Sequence, residues 1–272
     1  QVGSAHLGGT MTERDLDGHK AIVTGGGAGI GAATARRLAH RGARVAVLDR
    51  VPATARAIAE EVGGHALTVD VADADATTAA VQAAAEAMDG LTDVVANAGF
   101  GLNKPLHLYS DKEWRLVVGV NLDGTFHTLR AAIPILLAAG AGNIVTVATL
   151  NATRPLQGEA PYSAAKAGVV NLTATAALEY APAIRANCVS PGMIATNLTS
   201  VITEDADFTA VAEAGTPLRR IGTADEVADV IAFLCSDAAR YMTGQNLVVD
   251  GGAGLPNLQA DTIVNAVRER YS

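Results

Sequence analysis

A short apolar run at 21–23 passes directly into Thr24-Gly25-Gly26-Gly27-Ala28-Gly29-Ile30-Gly31, then a helical stretch at 32–41 and a second apolar run at 44–48 that closes on Asp49. No other feature restricts the chain as much. A strand, a glycine-rich turn, a helix and a strand in this order form a βαβ unit, which requires a parallel sheet and is the setting of a dinucleotide-binding turn. Glycines let the backbone approach a pyrophosphate, whose charge meets the free N–H groups and positive dipole of the helix start. Gly25, Gly29, Ile30 and Gly31 are therefore the first candidate cofactor-binding residues. The plain alternative is a turn kept glycine-rich for tight packing, and the completeness of the unit argues against it.

Asp49 bears on which dinucleotide is bound. A carboxylate at the end of the second strand accepts hydrogen bonds from ribose hydroxyls, whereas a 2′-phosphate there would bring like charges together. Position 28, where a cation would meet such a phosphate, is alanine. Arg50 is the single argument for a phosphorylated cofactor, and a solvated surface charge needs no such explanation. The expected cofactor is NAD(H), with Asp49 and Arg50 beside its ribose.

The pattern of the first unit continues. Apolar runs at 21–23, 44–48, 66–69, 93–96, 143–148, 183–189 and 246–249 alternate with Ala-rich helical stretches, several opened by a capping residue: Asp73, Ser110, and Thr223 with Glu226 three residues on. The expected fold is an α/β, Rossmann-type, doubly wound parallel sheet of about seven strands with helices on both faces, its strands apolar throughout. No linker or repeat divides the 272 residues, so residues 11–272 are expected to form one domain. Residues 1–10 look like a leader foreign to it, and 253–272 read as a C-terminal extension carrying an extra amphipathic helix.

Composition removes several classes of function. The chain carries 28 Asp and Glu against 20 Lys and Arg, and only 4% of its residues are aromatic, so it lacks the basic and stacking surface that nucleic acid requires. The six histidines never pair at ligand spacing, and no metal site is expected. Cys188 and Cys235 have no disulfide-rich setting and read as buried thiols of a cytoplasmic protein. The uncharged run 131–153 is broken by Pro134, Gly140 and Gly142, which makes it a helix end, a turn and a buried strand instead of a membrane span.

Tyr162 and Lys166 stand four apart in a helical stretch and so share one face. A phenol titrating near 10 must become a proton acceptor near neutrality, and a nearby ammonium, helped by a positively charged oxidised nicotinamide, favours the phenolate. Alone, such a pair is usually a half-buried ring and a solvated cation. Here it sits among further motifs: Asp70-Val71, Asn97-Ala98-Gly99, Asn121, Pro191-Gly192-Met193-Ile194-Ala195-Thr196 and Asp250-Gly251-Gly252.

In these motifs, over residues 16–252, the sequence resembles the short-chain dehydrogenase/reductase family in its single-domain branch. The resemblance implies that Asp70 and Val71 contact the adenine, that Asn97, Ala98 and Gly99 line the cofactor, and that Pro191, Gly192, Ile194 and Thr196 close over the nicotinamide. It implies a catalytic set of Asn121, Thr149, Tyr162 and Lys166, with Tyr162 and Lys166 also touching the cofactor. The family's serine, 13 positions before the tyrosine, is Thr149 here; its hydroxyl keeps the same donor and acceptor, while its methyl takes up pocket volume. Asn121, placed in the helix after the fourth strand, would hold a water that connects the lysine to solvent.

The implied activity is hydride transfer between NAD(H) and a secondary alcohol or ketone. Stretches 100–107, 150–161 and 197–215 would shape the pocket, the last as a lid, with Leu102, Leu106, Leu150, Leu156, Met193 and Leu198 as apolar lining and Asn103, His107, Asn151 and Gln157 as polar candidates. Lys104 and Arg154 leave an acyl-carrier or carboxylate substrate open. A homotetramer is expected from the apolar helices at 111–139 and 161–181. The rival readings are an acyl-carrier-protein ketoreductase, whose family usually prefers NADP, and a non-catalytic NAD-binding regulator, which has no reason to keep Tyr162, Lys166 and Asn121 together. A sugar-nucleotide epimerase would need a longer chain, and an enoyl reductase usually has a wider tyrosine-to-lysine spacing.

Overall fold

The structure, a computed structural model, describes residues 14–255 and 258–271. The leader expected at 1–10 lies outside them. Nine strands are described: β1 (Lys20–Thr24), β2 (Arg44–Asp49), β3 (His65–Thr68), β4 (Asp93–Ala96), β5 (Gly142–Val147), β6 (Ile184–Pro191), β7 (Ile194–Ala195), β8 (Gly222–Thr223) and β9 (Asn246–Val249). Seven of them form one sheet in the order β3-β2-β1-β4-β5-β6-β9, every pair parallel. The seven runs read from the sequence are these strands, within a residue or two at their ends.

The helices are α1 (Gly29–His40), α2 (Pro52–Glu61), α3 (Ala74–Met88), α4 (Asp111–Val118), α5 (Gly124–Ala139), α6 (Ala160–Tyr180), α7 (Ser200–Thr203), α8 (Ala206–Ala214), α9 (Ala224–Cys235) and α10 (Leu258–Tyr271). The caps anticipated at Asp73, Ser110 and Thr223 are made, the last two as full capping boxes with Glu113 and Glu226. The uncharged run 131–153 resolves as expected: α5 ends at Gly140 in the left-handed region and β5 follows. No described helix is long and apolar enough to cross a membrane.

Successive strand residues point to opposite faces, and the core divides accordingly. Ala21, Val23, Val45, Val47, Val95 and Val145 pack with α1, α2 and α9 on one face, while Ile22, Ala46, Leu48, Val94 and Ile144 pack with α3, α5 and α6 on the other. This is why the central strands read as unbroken apolar runs. The edge strand β3 departs from that expectation. Ala66 and Thr68 are exposed between half-buried His65 and Leu67, because only one neighbouring strand, β2, pairs with it.

Two local features differ from the sequence reading and both bear on the site. The expected single helix around Asn121 is α4 and α5 joined by a π-helical turn, Gly119–Asp123. The segment after β6 is not all loop, since Pro191 closes β6 and Ile194–Ala195 pairs in parallel with Gly222–Thr223. That small sheet ties the segment to the start of α9. The stretch 197–215 forms a 3₁₀ turn, α7 and α8.

Candidate active site

The strand order turns at β1 and β4, whose carboxyl ends lead to opposite faces of the sheet; ligands of open α/β sheets bind at such a switch point. A cleft of about 310 Å³ opens there. Its floor at the glycine turn is built by steric necessity. Gly25 holds φ at +61°, and a methyl on Gly31 would stand 2.1 Å from the Gly25 carbonyl oxygen. Asn97 locks this turn to β4 through Nδ2 bonds to the carbonyls of Thr24 and Gly25 at 3.0 and 3.2 Å. Ala28 offers α1 no side-chain cap, so the free N–H groups of its first turn remain for an anion. These features fit the pyrophosphate of a dinucleotide.

Gly25, Gly29 and Ile30 line the cleft at this end, with Asp49 and Arg50 beside them. Asp49 is held by backbone donors, Gly27 N–H to Oδ2 and Val51 N–H to Oδ1, each at 2.9 Å. Asp70, Val71, Asn97, Ala98 and Gly99 also line it, as do Pro191, Gly192, Ile194 and Thr196. Gly31 does not reach the cleft; it is buried and allows α1 to pack on the turn. Also on the lining, and not singled out from the sequence, are Val69, Val120, Val147, Ala148 and Thr199. Val147 and Ala148 follow from the rule that ligands meet strand ends; Val120 sits on the π-helical turn, for which the sequence carries no recognised signal.

At the other end Thr149, Tyr162 and Lys166 come together. Thr149 is 8% exposed and follows β5; its hydroxyl accepts from the Asn151 N–H and lies beside the Tyr162 phenol. Lys166, only 2% exposed, donates from Nζ to the Val147 carbonyl at 2.7 Å and lies 5.9 Å from the Tyr162 ring centroid. Burial pulls Lys166 down to about 8. It also pushes Tyr162 up to about 12, with the charge of Glu159 adding to the rise and the Thr149 hydroxyl opposing it. The expected depression of the tyrosine by the lysine is thus not a property of the protein alone, where burial and Glu159 raise the phenol and only Thr149 lowers it.

Asn121 is wholly buried behind the cleft. Its Nδ2 donates to the carbonyls of Phe100 and Val117 at 2.8 and 2.9 Å, the second of these inside the helical segment. Its Oδ1 has no hydrogen-bond partner among the described residues. A methyl on Gly99 would stand 2.5 Å from that oxygen and 3.2 Å from Lys166 Nζ, so both groups converge on one small space. A buried acceptor left in this way marks a place for water.

Beyond the catalytic side, 100–109 and 150–160 are laced together. Lys104 N–H donates to the Gly158 carbonyl at 2.9 Å, Tyr109 Oη to the same carbonyl at 2.7 Å, and Asn103 Nδ2 to the Gln157 carbonyl at 3.3 Å. Phe100 and Asn197 line the cleft; Leu102, Leu106, Leu150 and Leu156 do not, and Met193 lines a separate small hollow. The Leu198 side chain lies outside the described residues. Cys188 and Cys235 are free and buried, and no cluster of metal-ligating side chains occurs among the described residues.

A parallel sheet with a dinucleotide turn at its switch point and a tyrosine–lysine pair beside it defines a nicotinamide-dependent oxidoreductase of the short-chain type. Comparison with known proteins agrees. A family model described as Enoyl-(Acyl carrier protein) reductase matches residues 25–254. The chain is 43% identical over 239 residues to the cis-4-hydroxycyclohexanecarboxylate dehydrogenase of Sinomonas cyclohexanicum, covering 85% of this chain and 95% of the relative. Among solved structures it resembles the 3-ketoacyl-(acyl-carrier-protein) reductase of Brucella melitensis complexed with NADH, at 35% identity and a TM-score of 0.82 over 88% of this chain and 100% of that one. It also resembles a gluconate 5-dehydrogenase from Burkholderia cenocepacia in complex with NADP and tartrate, at 32% identity and a TM-score of 0.85 over 90% and 99%. The chain belongs to the short-chain dehydrogenase/reductase family, whose oxidoreductases interconvert alcohols and ketones.

Proposed function

We propose that the protein is an NAD-dependent dehydrogenase of a secondary alcohol, or reductase of the corresponding ketone, with Tyr162 as general base and acid. When bound, the dinucleotide supplies the acceptor or donor of hydride. The observation that carries the reading is the convergence of Lys166 Nζ and the unpartnered Asn121 Oδ1 on the space beside Gly99. A buried cation and a buried lone acceptor are each costly without work to do.

In oxidation, Thr149 Oγ1 holds the alcohol oxygen and Tyr162 Oη removes its proton. Lys166, pulled to about 8 by burial, stabilises the phenolate and exchanges protons near neutrality. A water on Asn121 Oδ1 carries the proton outward, and in reduction the same groups deliver it. The residues at 25–31 and 97–99 bind and orient the dinucleotide. Its expected form is NAD(H), supported by Asp49, which presents a backbone-held carboxylate to the cleft, and by the lack of a cation at Ala28. The two liganded relatives carry NADH and NADP respectively and so do not decide this point.

The surface supports a homotetramer. Trp114, Leu116, Phe126 and Leu137 on α4 and α5, and Leu178 on α6, are exposed, an apolar area that partner copies would cover. Free, buried thiols suit a cytoplasmic setting. Residues 14–255 read as one domain around one sheet, with α10 as an extension. The test is a panel of hydroxysteroids, polyols, cyclic secondary alcohols and hydroxyacyl thioesters assayed with NAD and NADP. Alcohol-dependent reduction of NAD, with NADP poorer, is expected; activity confined to hydroxyacyl thioesters with NADP would favour the ketoreductase alternative.

A further inference from the structure

Tyr162 is the third residue of α6, and so belongs to the part of a helix that holds least well by itself. The N–H groups of a first turn have no intrahelical acceptor, and Glu159 in the N-cap position gives them no side-chain hydrogen bond. Pro161 presets the backbone there without adding a bond. The start of α4 differs, since Ser110 and Glu113 close a full capping box on it. Tyr109 stands immediately before that box and reaches across to the lead-in of α6.

Tyr109 Oη donates to the Gly158 carbonyl at 2.7 Å and also meets the Leu102 carbonyl. One proton is thus shared between acceptors on the two segments that flank Tyr162. Gly158 lies four residues before it in the chain. Leu102 follows Gly101, where a methyl would stand 3.9 Å from Tyr162 Cγ and 4.0 Å from Cδ2, in ordinary contact with the ring. On the other side of Gly101, the Phe100 carbonyl accepts from Asn121 Nδ2 at 2.8 Å. The backbone is therefore pinned on both sides of the residue that faces the ring. Gly158 is held as closely: at φ +84° it leaves no room for a side chain, since a methyl there would stand 2.4 Å from Asn103 Oδ1. Tyr109 itself is braced by Lys104, whose Nζ lies 5.5 Å from the Tyr109 ring centroid and 2.6 Å from Glu113 Oε1.

Resting on the dehydrogenase reading above, we propose that Tyr109 is a positioning residue for Tyr162: its hydroxyl ties the uncapped start of α6 to the segment at Gly101 and so fixes where the base stands. Tyr109 is not among the residues that line the cleft, so it acts through the geometry of Tyr162 and not on the substrate. That geometry is sensitive, because moving a reacting group by about 1 Å costs a reaction roughly 100-fold.

Tyr109→Phe removes the hydroxyl and keeps the ring. The wild type, Tyr109→Phe, Tyr162→Phe and the double variant are compared in kcat and KM for whichever alcohol of the panel above the wild type turns over fastest. Fluorescence titration with NADH gives the affinity and the number of sites on the same preparations. In Tyr109→Phe, kcat per NADH site is expected to fall roughly 10- to 100-fold, while KM and NADH affinity stay within about threefold of the wild type. In the Tyr162→Phe background the same substitution should change the residual kcat by less than about twofold, because its effect passes through the missing hydroxyl. A kcat per site within about twofold of the wild type overturns the proposal. So does a loss of activity matched by a loss of NADH sites, a rise in KM alone, or an equal loss with and without the Tyr162 hydroxyl. Each of these leaves the dehydrogenase reading intact. No turnover of any panel alcohol by the wild type overturns that reading and this proposal with it.

Discussion

Replacing Asp49 with asparagine removes one charge and almost no volume, which makes it a direct probe of cofactor choice. The carboxylate is fixed by the Gly27 and Val51 N–H groups at 2.9 Å each, so it cannot easily swing away from a phosphate. For a pair about 5 Å apart at an effective dielectric of about 20, each pair of unit charges repels by about 3 kcal/mol. A 2′-phosphate bearing nearly two charges doubles that figure, and the half-exposed position of Asp49 roughly halves it again through solvent screening. The remainder, about 3 kcal/mol, corresponds to a preference of roughly 100-fold for the unphosphorylated cofactor. Titration of protein fluorescence with NADH and NADPH reads this without turnover. The wild type is expected to bind NADH about 100-fold more tightly than NADPH, and Asp49→Asn to lose most of that ratio, mainly by gaining affinity for NADPH. A ratio unchanged by the substitution, or tighter NADPH binding by the wild type, would refute the assignment of Asp49 as the discriminating residue.

Three further outcomes are expected. Thr149→Ala should lower kcat by roughly 100-fold, the effect of losing one donor to the reacting oxygen, while Thr149→Ser stays within several-fold of the wild type; steady-state kinetics on any accepted alcohol distinguishes them. Gly31→Ala places a methyl 2.1 Å from the Gly25 carbonyl oxygen and should cost about 1–3 kcal/mol of stability together with NADH affinity, measured by urea unfolding and fluorescence titration. His19, whose pKa is raised chiefly by its hydrogen bond to Asp93, 2.7 Å away, contributes stability that is fully present below its unfolded value near 6.5 and lost as pH rises through the higher folded value. The urea midpoint should therefore drop more between pH 6 and pH 9 in the wild type than in His19→Gln.

The central sheet was legible because its strands are buried on both faces, and a parallel strand so covered must be apolar at every position. That argument fails at β3, where one strand neighbour is missing and Ala66 and Thr68 face solvent. Motifs whose function depends on backbone approach were equally legible. Gly25 and Gly31 leave no room for a side chain, and their spacing in the sequence carries that constraint. The π-helical turn was not legible, since the extra residue in the turn at Gly119–Asp123 leaves the local composition helical. Yet the turn accompanies the complete burial of Asn121 next to Lys166 and brings Val120 to the cleft.

The proton affinities were the least legible part. The four-residue spacing of Tyr162 and Lys166 states that they share a helix face, and the structure agrees, but it says nothing of desolvation. In the folded protein the lysine turns its Nζ to the Val147 carbonyl, and burial with Glu159 sets the phenol near 12.

The role of Tyr162 is the claim on which the rest depends, and Tyr162→Phe tests it most directly. Alcohol-dependent reduction of NAD and NADH affinity are to be measured on the same preparation. Loss of a general base is expected to lower kcat/KM by roughly 10²- to 10⁴-fold while NADH still binds within a few-fold of the wild type. Near-normal turnover by Tyr162→Phe would contradict the account.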